Sequence, residues 1–277
     1  MPDLDDPKAK GTLMTPKFFL NDEQLELGTD DLSRRNQLAQ WITESEWFAK
    51  SLVNRIWTDL NGSGFYSTVD DIGPERDCEQ EEAFEFLADQ FVANDHDLKW
   101  LIQTITATDV YQSPSESRVD DGSWGPTRNH PIRLRSDQLF HSVTQLFGGQ
   151  RPLSREQRKF LQKGARLIFA AHFGFDPSVP QADIDGSVPQ ALLMMNSKII
   201  DRQLQSRKPG GIGSAIRDLD DDRKLVEYLY LRCLSRRPSK PEIKTALNYV
   251  ASSENRTAGF HDLIWSLVNC SEFMHRG

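Results

Sequence analysis

No stretch of the sequence approaches the roughly 20 consecutive apolar residues that cross a bilayer as a helix. The opening, MPDLDDPKAKGTLMTPKFFL, is acidic at first and has no continuous apolar run of signal-peptide length. As written the chain carries neither export signal nor anchor, which leaves open its being part of a longer exported polypeptide and leaves its compartment unassigned. There are only three cysteines, Cys78, Cys233 and Cys270. An odd number with no C-x-x-C and no C-x-x-C-H lends no support to a disulfide framework, a zinc knuckle or covalent haem. Cys233 and Cys270 fall in apolar helical patterns, where a reduced thiol behaves as a small hydrophobe.

An excess of basic charge is also missing. Lys and Arg number 33 against 41 Asp and Glu, for a net charge of -8 and a pI near 5.3. This argues against non-specific binding to nucleic acid or anionic lipid. The short basic clusters Arg34-Arg35, Arg133 with Arg135, and Arg236-Arg237 read as solvated helix ends. The six histidines are scattered, and H-E-x-x-H, G-x-S-x-G, P-loop and G-x-G-x-x-G patterns are absent, so no cofactor is implied. Asp183-Ile184-Asp185-Gly186, close to His172 and Asp176, resembles the opening of a calcium loop but lacks the later Glu and the regular oxygen spacing. It reads as a connector that turns the chain and caps the next helix.

What is present is helix. With 38% hydrophobic and 27% charged residues in 277, the chain can bury a sizeable core. Ser or Thr followed three residues later by Glu or Gln marks four capping boxes: Thr43 with Glu46, Ser154 with Gln157, Ser187 with Gln190, and Ser239 with Glu242. Pro189 and Pro241 fall in first turns, where a missing N–H costs little. Periodicity predicts helices over 34–42, 44–60, 80–93, 96–109, 137–147, 155–172, 188–205, 222–235, 240–252 and 258–274. The expected fold class is all-α, an irregular multi-helix array. Residues 1–32 read as an extended or loosely ordered lead-in with Phe18, Phe19 and Leu20 docking on the body. Residues 33–277 read as one helical domain. The Ser-, Gly- and Pro-rich stretch 112–131 divides it into packed lobes 33–111 and 132–277, and 206–214 (SRKPGGIGS) is a second flexible break.

One stretch raises a question: SLVNRIWTDLNGSGFYSTVDDIG, Ser51 to Gly73, places Asn-Arg inside an apolar helical run. At about 100° per residue, Phe48, Ala49, Leu52, Val53, Ile56 and Leu60 share a stripe, with Asn54 nearly opposite, in line with Trp47 and Thr58, and Arg55 beyond one edge. The last helix likewise puts Trp265 and Asn269 away from Phe260, Leu263, Ile264 and Leu267. A Trp on the polar side implies cover on two sides, so the Asn must be hydrogen-bonded by the second neighbour. The glycines of Asn61-Gly62-Ser63-Gly64 let the chain reverse, which brings Asp70 or Asp71 within reach of Arg55. The candidate binding residues are Asn54, Arg55, Trp57, Asp70 and Asp71, with a structural role as the competing reading. General acid/base work by Asp70-Asp71, close in sequence to Phe65 and Tyr66, would require burial to raise one carboxyl.

Those residues also carry a resemblance. The run RRNQLAQWITESEWFAKSLVNRIWTDLNGSGFYSTVDDIG, followed by FEFLADQFVANDHDLKWLIQTITATDVYQ, RLRSDQLFHSVTQLFG, FGFDPSVPQADIDGSVPQALLMMNS, LYLRCLSRRPSKPEI and DLIWSLVNCSEFMHR, resembles the planctomycete-specific domain of unknown function that closes many large secreted planctomycete proteins. It extends over about residues 16 to 276, and its matching positions include Asn54, Arg55, Trp57, Asp70, Asp71, Asn196, Asn269, Glu272 and Phe273. The resemblance implies an upstream partner domain in relatives, and often a cytochrome c-like module. This chain shows neither, and so reads as a standalone or truncated copy. It assigns no catalytic residue. Three functions stand open at this point: a non-catalytic interaction or scaffolding module whose partner is a protein or an upstream domain; a hydrolase or carbohydrate-active enzyme with an inter-lobe site; and an electron-transfer accessory that docks a cytochrome.

Overall fold

The structure, a computed structural model, describes residues 15–115, 125–147, 166–176, 186–195 and 211–276, together with the isolated residues Lys8, Lys10, Gly164, Val179 and Ile184. It is mostly helical, as the cap signals and periodicity require. Asp30 opens α1 (Asp31–Glu44) by accepting the Ser33 N–H. Thr43, expected to cap the following helix, lies inside α1 instead, with its hydroxyl donating to the carbonyls of Ala39 and Gln40. A threonine in a continuing helix bonds back this way. The break falls at Ser45, whose extended backbone starts α2 (Glu46–Asn61) with no side-chain cap. Ahead of α1, only Phe18 of the expected docking trio is buried, its ring stacked on Trp41 at 5.4 Å. Phe19 and Leu20 are exposed.

After α2 the chain reverses at Gly62, which takes φ +84° and donates its N–H to the Thr58 carbonyl. The next helices are α3 (Glu81–Ala93), α4 (Leu98–Thr106) and α5 (Asp109–Gln112). The single helix expected over 96–109 is thus shortened and split. Asp95 and His96 adopt positive φ in the preceding turn, and Asp97 is the cap, accepting from the N–H groups of Lys99 and Trp100. Thr108 then caps α5. Val53 and Trp57 of α2, Phe65 from the following loop, Phe84 and Phe91 of α3, and Leu101 of α4 belong to one hydrophobic cluster. Its centre is a run of rings, Trp57 to Phe65 at 4.8 Å and Phe65 to Phe84 at 5.0 Å.

A crossing segment, described over 125–131, leads to β1 (Ile132–Arg133), then α6 (Ser136–Phe147), a helix over 166–173 (α7), α8 (Val188–Met195), α9 (Ile212–Asp218), α10 (Asp222–Leu234), α11 (Lys240–Ser252), α12 (Arg256–Asn269), α13 (Ser271–Met274) and β2 (His275–Arg276). These helices surround a second cluster that includes Leu139, Leu225, Leu229, Phe260, Ile264 and Phe273. The capping boxes Ser187/Gln190 and Ser239/Glu242 are both formed. Ser154/Gln157 lies outside the described residues, as do the remainders of the helices expected over 155–172 and 188–205.

Of the flexible break expected over 206–214, residues 206–210 lie outside the described residues, and Ile212 to Ser214 belong instead to helix α9. A partner far along the chain holds it: the Arg256 guanidinium donates to the carbonyls of Ile216 and Leu219 at its C-terminal end, pairs with Asp222, and lies 5.0 Å over the Phe260 ring. Cations are favourable at that end of a helix. β1 and β2 form a short antiparallel ladder, Ile132 opposite Arg276 and Arg133 opposite His275.

Two of the three basic clusters are likewise not merely solvated. Arg133 is buried and donates to Gln190 Oε1 at 2.6 Å. Arg236 forks between two carboxylates, reaching Glu242 at 2.8 and 3.0 Å and Glu272 at 2.6 and 2.8 Å, beside the Tyr230 ring. Arg34 and Arg35, both on Asp31, and Arg135, on Asp137 at the start of α6, do stand as exposed helix-end charges. The Arg236 guanidinium, then the Ser239 cap, hold the Glu242 carboxyl down to about 2 from an ordinary 4.5.

Replacing Arg236 with Ala should lower stability at pH 7 by about 1–2 kcal/mol, above the about 0–1 of one exposed pair because two bidentate contacts are lost together. Because the folded-state value of Glu242 is depressed, its contribution is complete above pH 4.5 and is lost as pH falls toward 2. Urea unfolding of both proteins at pH 7 and pH 3 should therefore show the difference between them shrinking at pH 3.

Candidate functional site

Four polar side chains run down one side of α2 and are buried: Lys50, Asn54, Thr58 and Asn61. Spacings of three and four residues put them in line. The buried face is therefore centred on Ala49, Val53 and Trp57 together with this polar line, while Phe48, Leu52, Ile56 and Leu60 of the expected stripe are half-buried. Lys50 lies between Glu46 and Glu85, each at 2.8 Å, and 4.9 Å over the Trp47 ring. Burial pulls its ammonium down, but the two carboxylates outweigh it and hold the pKa above its ordinary value.

Asn54 is the centre of a clamp. Its Oδ1 accepts from the N–H of Phe65 at 2.8 Å and of Tyr66 at 3.4 Å, and its Nδ2 donates to the Val69 carbonyl at 3.1 Å. The loop after α2 thus folds back across the helix it has just left. Gly64 permits the approach, since a Cβ there would lie 2.4 Å from Thr58 Oγ1 and 2.7 Å from Asn54 Oδ1. Arg55, one residue on, points outward and pairs with Asp70, while Asp71 takes Arg76 at 3.0 Å. Both pairs are substantially exposed. Asn269, by contrast, bonds the Trp265 carbonyl of its own helix rather than a second neighbour.

The five candidate residues therefore do not share one pocket. Asn54 and Trp57 face inward, Asp70 and Asp71 lie on an exposed loop, and Arg55 alone lines a groove of about 510 Å³. That groove is formed by Phe19 and Leu20 ahead of α1, by Ile42 and Phe48 at the α1–α2 junction, and by Ile72 and Pro74 after the loop. Near the clamp, burial pushes the Tyr66 phenol up to about 12 and raises the Cys78 thiol. Cys233, in the second cluster, is likewise pushed up to about 12 by burial. All three side chains are held protonated at neutral pH.

Residues 34–152 match a family described as a protein of unknown function (DUF1553). No curated protein matches the chain. The matched span contains the whole first hydrophobic cluster, the clamp and loop, the crossing segment and α6.

Sequence reasoning missed the apolar groove, the buried Asn61 and the Arg236 fork. The signal for the first was available: Leu32, Leu38 and Ile42 on α1 follow no single stripe, and the helix buries none of its residues. Asp183 and Asp185 lie outside the described residues. Among the described residues no three His, Cys, Asp or Glu side chains gather as metal ligands, and no helix is long and apolar enough to cross a membrane.

Asn54→Leu keeps the size of the side chain but strands the Phe65 N–H and the Val69 carbonyl, and should cost about 2–6 kcal/mol at about 1–3 per buried group. A double-mutant cycle on Arg55 and Asp70 should give a coupling of only about 0–1 kcal/mol, because the pair is exposed. Denaturant unfolding of the four proteins measures both.

Proposed function

We propose that the chain is a non-catalytic interaction module that receives a peptide segment of another protein in the groove between Phe19, the α1–α2 junction and Pro74. One observation carries this reading. Helix α1, 14 residues long, buries none of its side chains; its Leu32, Leu38 and Ile42 stand exposed, and Ile42 lines the apolar groove. An isolated helix of that length is marginal in water, so its stability comes from what it packs against. Large exposed apolar patches mark interaction sites.

Charge selects the class of partner. Arg55 is taken by Asp70, Arg76 by Asp71 and Lys50 by Glu46 and Glu85. Glu44 and Glu75 stand next to the groove-lining Ser45 and Pro74, and among the described residues neither pairs with a cation, Glu44 accepting instead from the Gln40 amide. The rim is therefore acidic, and it favours an apolar segment with basic flanks over a second copy of this chain, which would bring like charges together. In longer proteins that segment would belong to a neighbouring domain. The order of family-like segments beyond residue 152 supports the closer kinship with the planctomycete-specific domain. The first and second clusters would then act as two lobes, only the first of which bears the groove.

The test uses two synthetic amphipathic helices with the same leucine pattern, one bearing Lys and the other Glu at its flanks, titrated against the intrinsic tryptophan fluorescence. The Lys peptide should bind at least about tenfold more tightly, a difference of about 1.4 kcal/mol. Glu44→Lys combined with Glu75→Lys should reverse the preference, and Phe48→Asp should abolish binding with helix content retained. Equal affinity for both peptides, or a preference that survives the double charge reversal, would sink the proposal.

A further inference from the structure

Trp57 and Asn61 stand one helical turn apart on α2, 7% and 0% exposed. The indole Nε1 of Trp57 and both Oδ1 and Nδ2 of Asn61 have no hydrogen-bond partner among the described residues. The rest of the polar line is satisfied: Lys50 by two carboxylates, Asn54 by the loop, and Thr58 by the Asn54 carbonyl at 2.7 Å. The surrounding backbone is also engaged, since the Asn61 carbonyl accepts from the His130 N–H at 2.8 Å and the Gly62 N–H donates to Thr58. Asn61 is therefore not a spare cap that a small rotation would employ. An amide left dry at this depth is destabilising, and a leucine of the same size would serve packing better.

We infer that Trp57 and Asn61 bind ordered water, one or two molecules, at the joint between the end of α2 and the crossing segment at His130–Ile132. The donor and acceptor set decides the ligand. Trp57 offers one donor, and Asn61 offers donors and an acceptor within the same turn. A neutral molecule that accepts and donates at once satisfies all of them. An anion would face Asn61 Oδ1, and a cation would face the indole and amide N–H groups. Size points the same way, because the crossing segment closes tightly over the turn. A Cβ on Gly62 would lie 2.8 Å from the His130 carbonyl oxygen and 3.1 Å from Ile132 Cγ1. Buried waters of this kind typically make about three hydrogen bonds to groups that would otherwise be unmet.

Water-selective cross-relaxation in solution is the test. In the unmodified protein, the Trp57 indole proton and the Asn61 amide protons should both exchange magnetisation with water bound for longer than the tumbling time. A crystal structure at high resolution should show ordered water within about 3.2 Å of Trp57 Nε1 and of an Asn61 side-chain atom. Trp57→Phe should weaken the Asn61–water signal several-fold while far-UV circular dichroism stays unchanged. A direct bond from Asn61 to Trp57 or to a protein carbonyl, with no water present, would overturn the assignment. So would a larger molecule in the density, or an Asn61 signal indifferent to Trp57→Phe in a folded variant. The measurements on the unmodified protein decide the matter if that variant does not fold.

Discussion

The five residues from His130 to Leu134 tie the two hydrophobic clusters to each other. At one end the His130 N–H takes the last carbonyl of α2, and at the other the Leu134 N–H takes the carbonyl of Met274. Between them Ile132 and Arg133 pair with β2, and the buried Arg133 side chain reaches Gln190. Gln190 in turn closes the cap of α8 and donates to the His172 carbonyl. A strand of two residues contributes little by itself. Here its backbone and side-chain bonds all run to different elements, so α2, α7, α8 and the β2 end take their places relative to one short segment. Gly62 is part of the same constraint, because its left-handed backbone and missing Cβ let the segment lie against the end of α2.

The same helix works in two directions. Its inward side, through Asn54, spends a fully buried amide on three backbone groups of the returning loop. Its outward side, through Phe48, Leu52 and Arg55, forms a wall of the groove. Asn and Arg in adjacent positions therefore do unrelated jobs. The amide fixes the loop that carries Ile72 and Pro74, and those residues are the groove's opposite wall. The interior clamp thus sets the shape of the exterior surface, although no candidate residue other than Arg55 reaches it.

How much of this was legible in the sequence depended on how local the deciding interaction was. The Ser239/Glu242 box, the Pro241 start and the aliphatic face of α12 need only their own neighbours, and they could be read directly. Reading Asn54 required the further argument that a Trp on the polar side means a second covering element. That argument succeeded for α2 and failed for Asn269, which bonds within its own helix. Thr43 misled because a hydroxyl that caps a helix and one that bonds back into a continuing helix look alike in sequence. Helix α9 and the Arg236 fork depend on partners dozens of residues away. In a sequence, a glycine-rich opening or a pair of adjacent arginines gives no sign of such a partner. The broken apolar pattern of α1 was visible, but the position of the groove was hidden, since its walls come from three separated stretches.

The β1–β2 ladder has a further consequence, and it concerns time. The first cluster gathers residues 49 to 105, nearly all within short loops of one another, and contacts of that kind close fast. Ile132 must instead wait for Arg276, more than half the chain away, and the entropy of closing so long a loop is paid before the ladder returns anything. During synthesis α2, its clamp and the groove can therefore be complete while β1 still lacks its partner strand. The N-terminal surface would be competent to meet a partner before the two clusters are locked together.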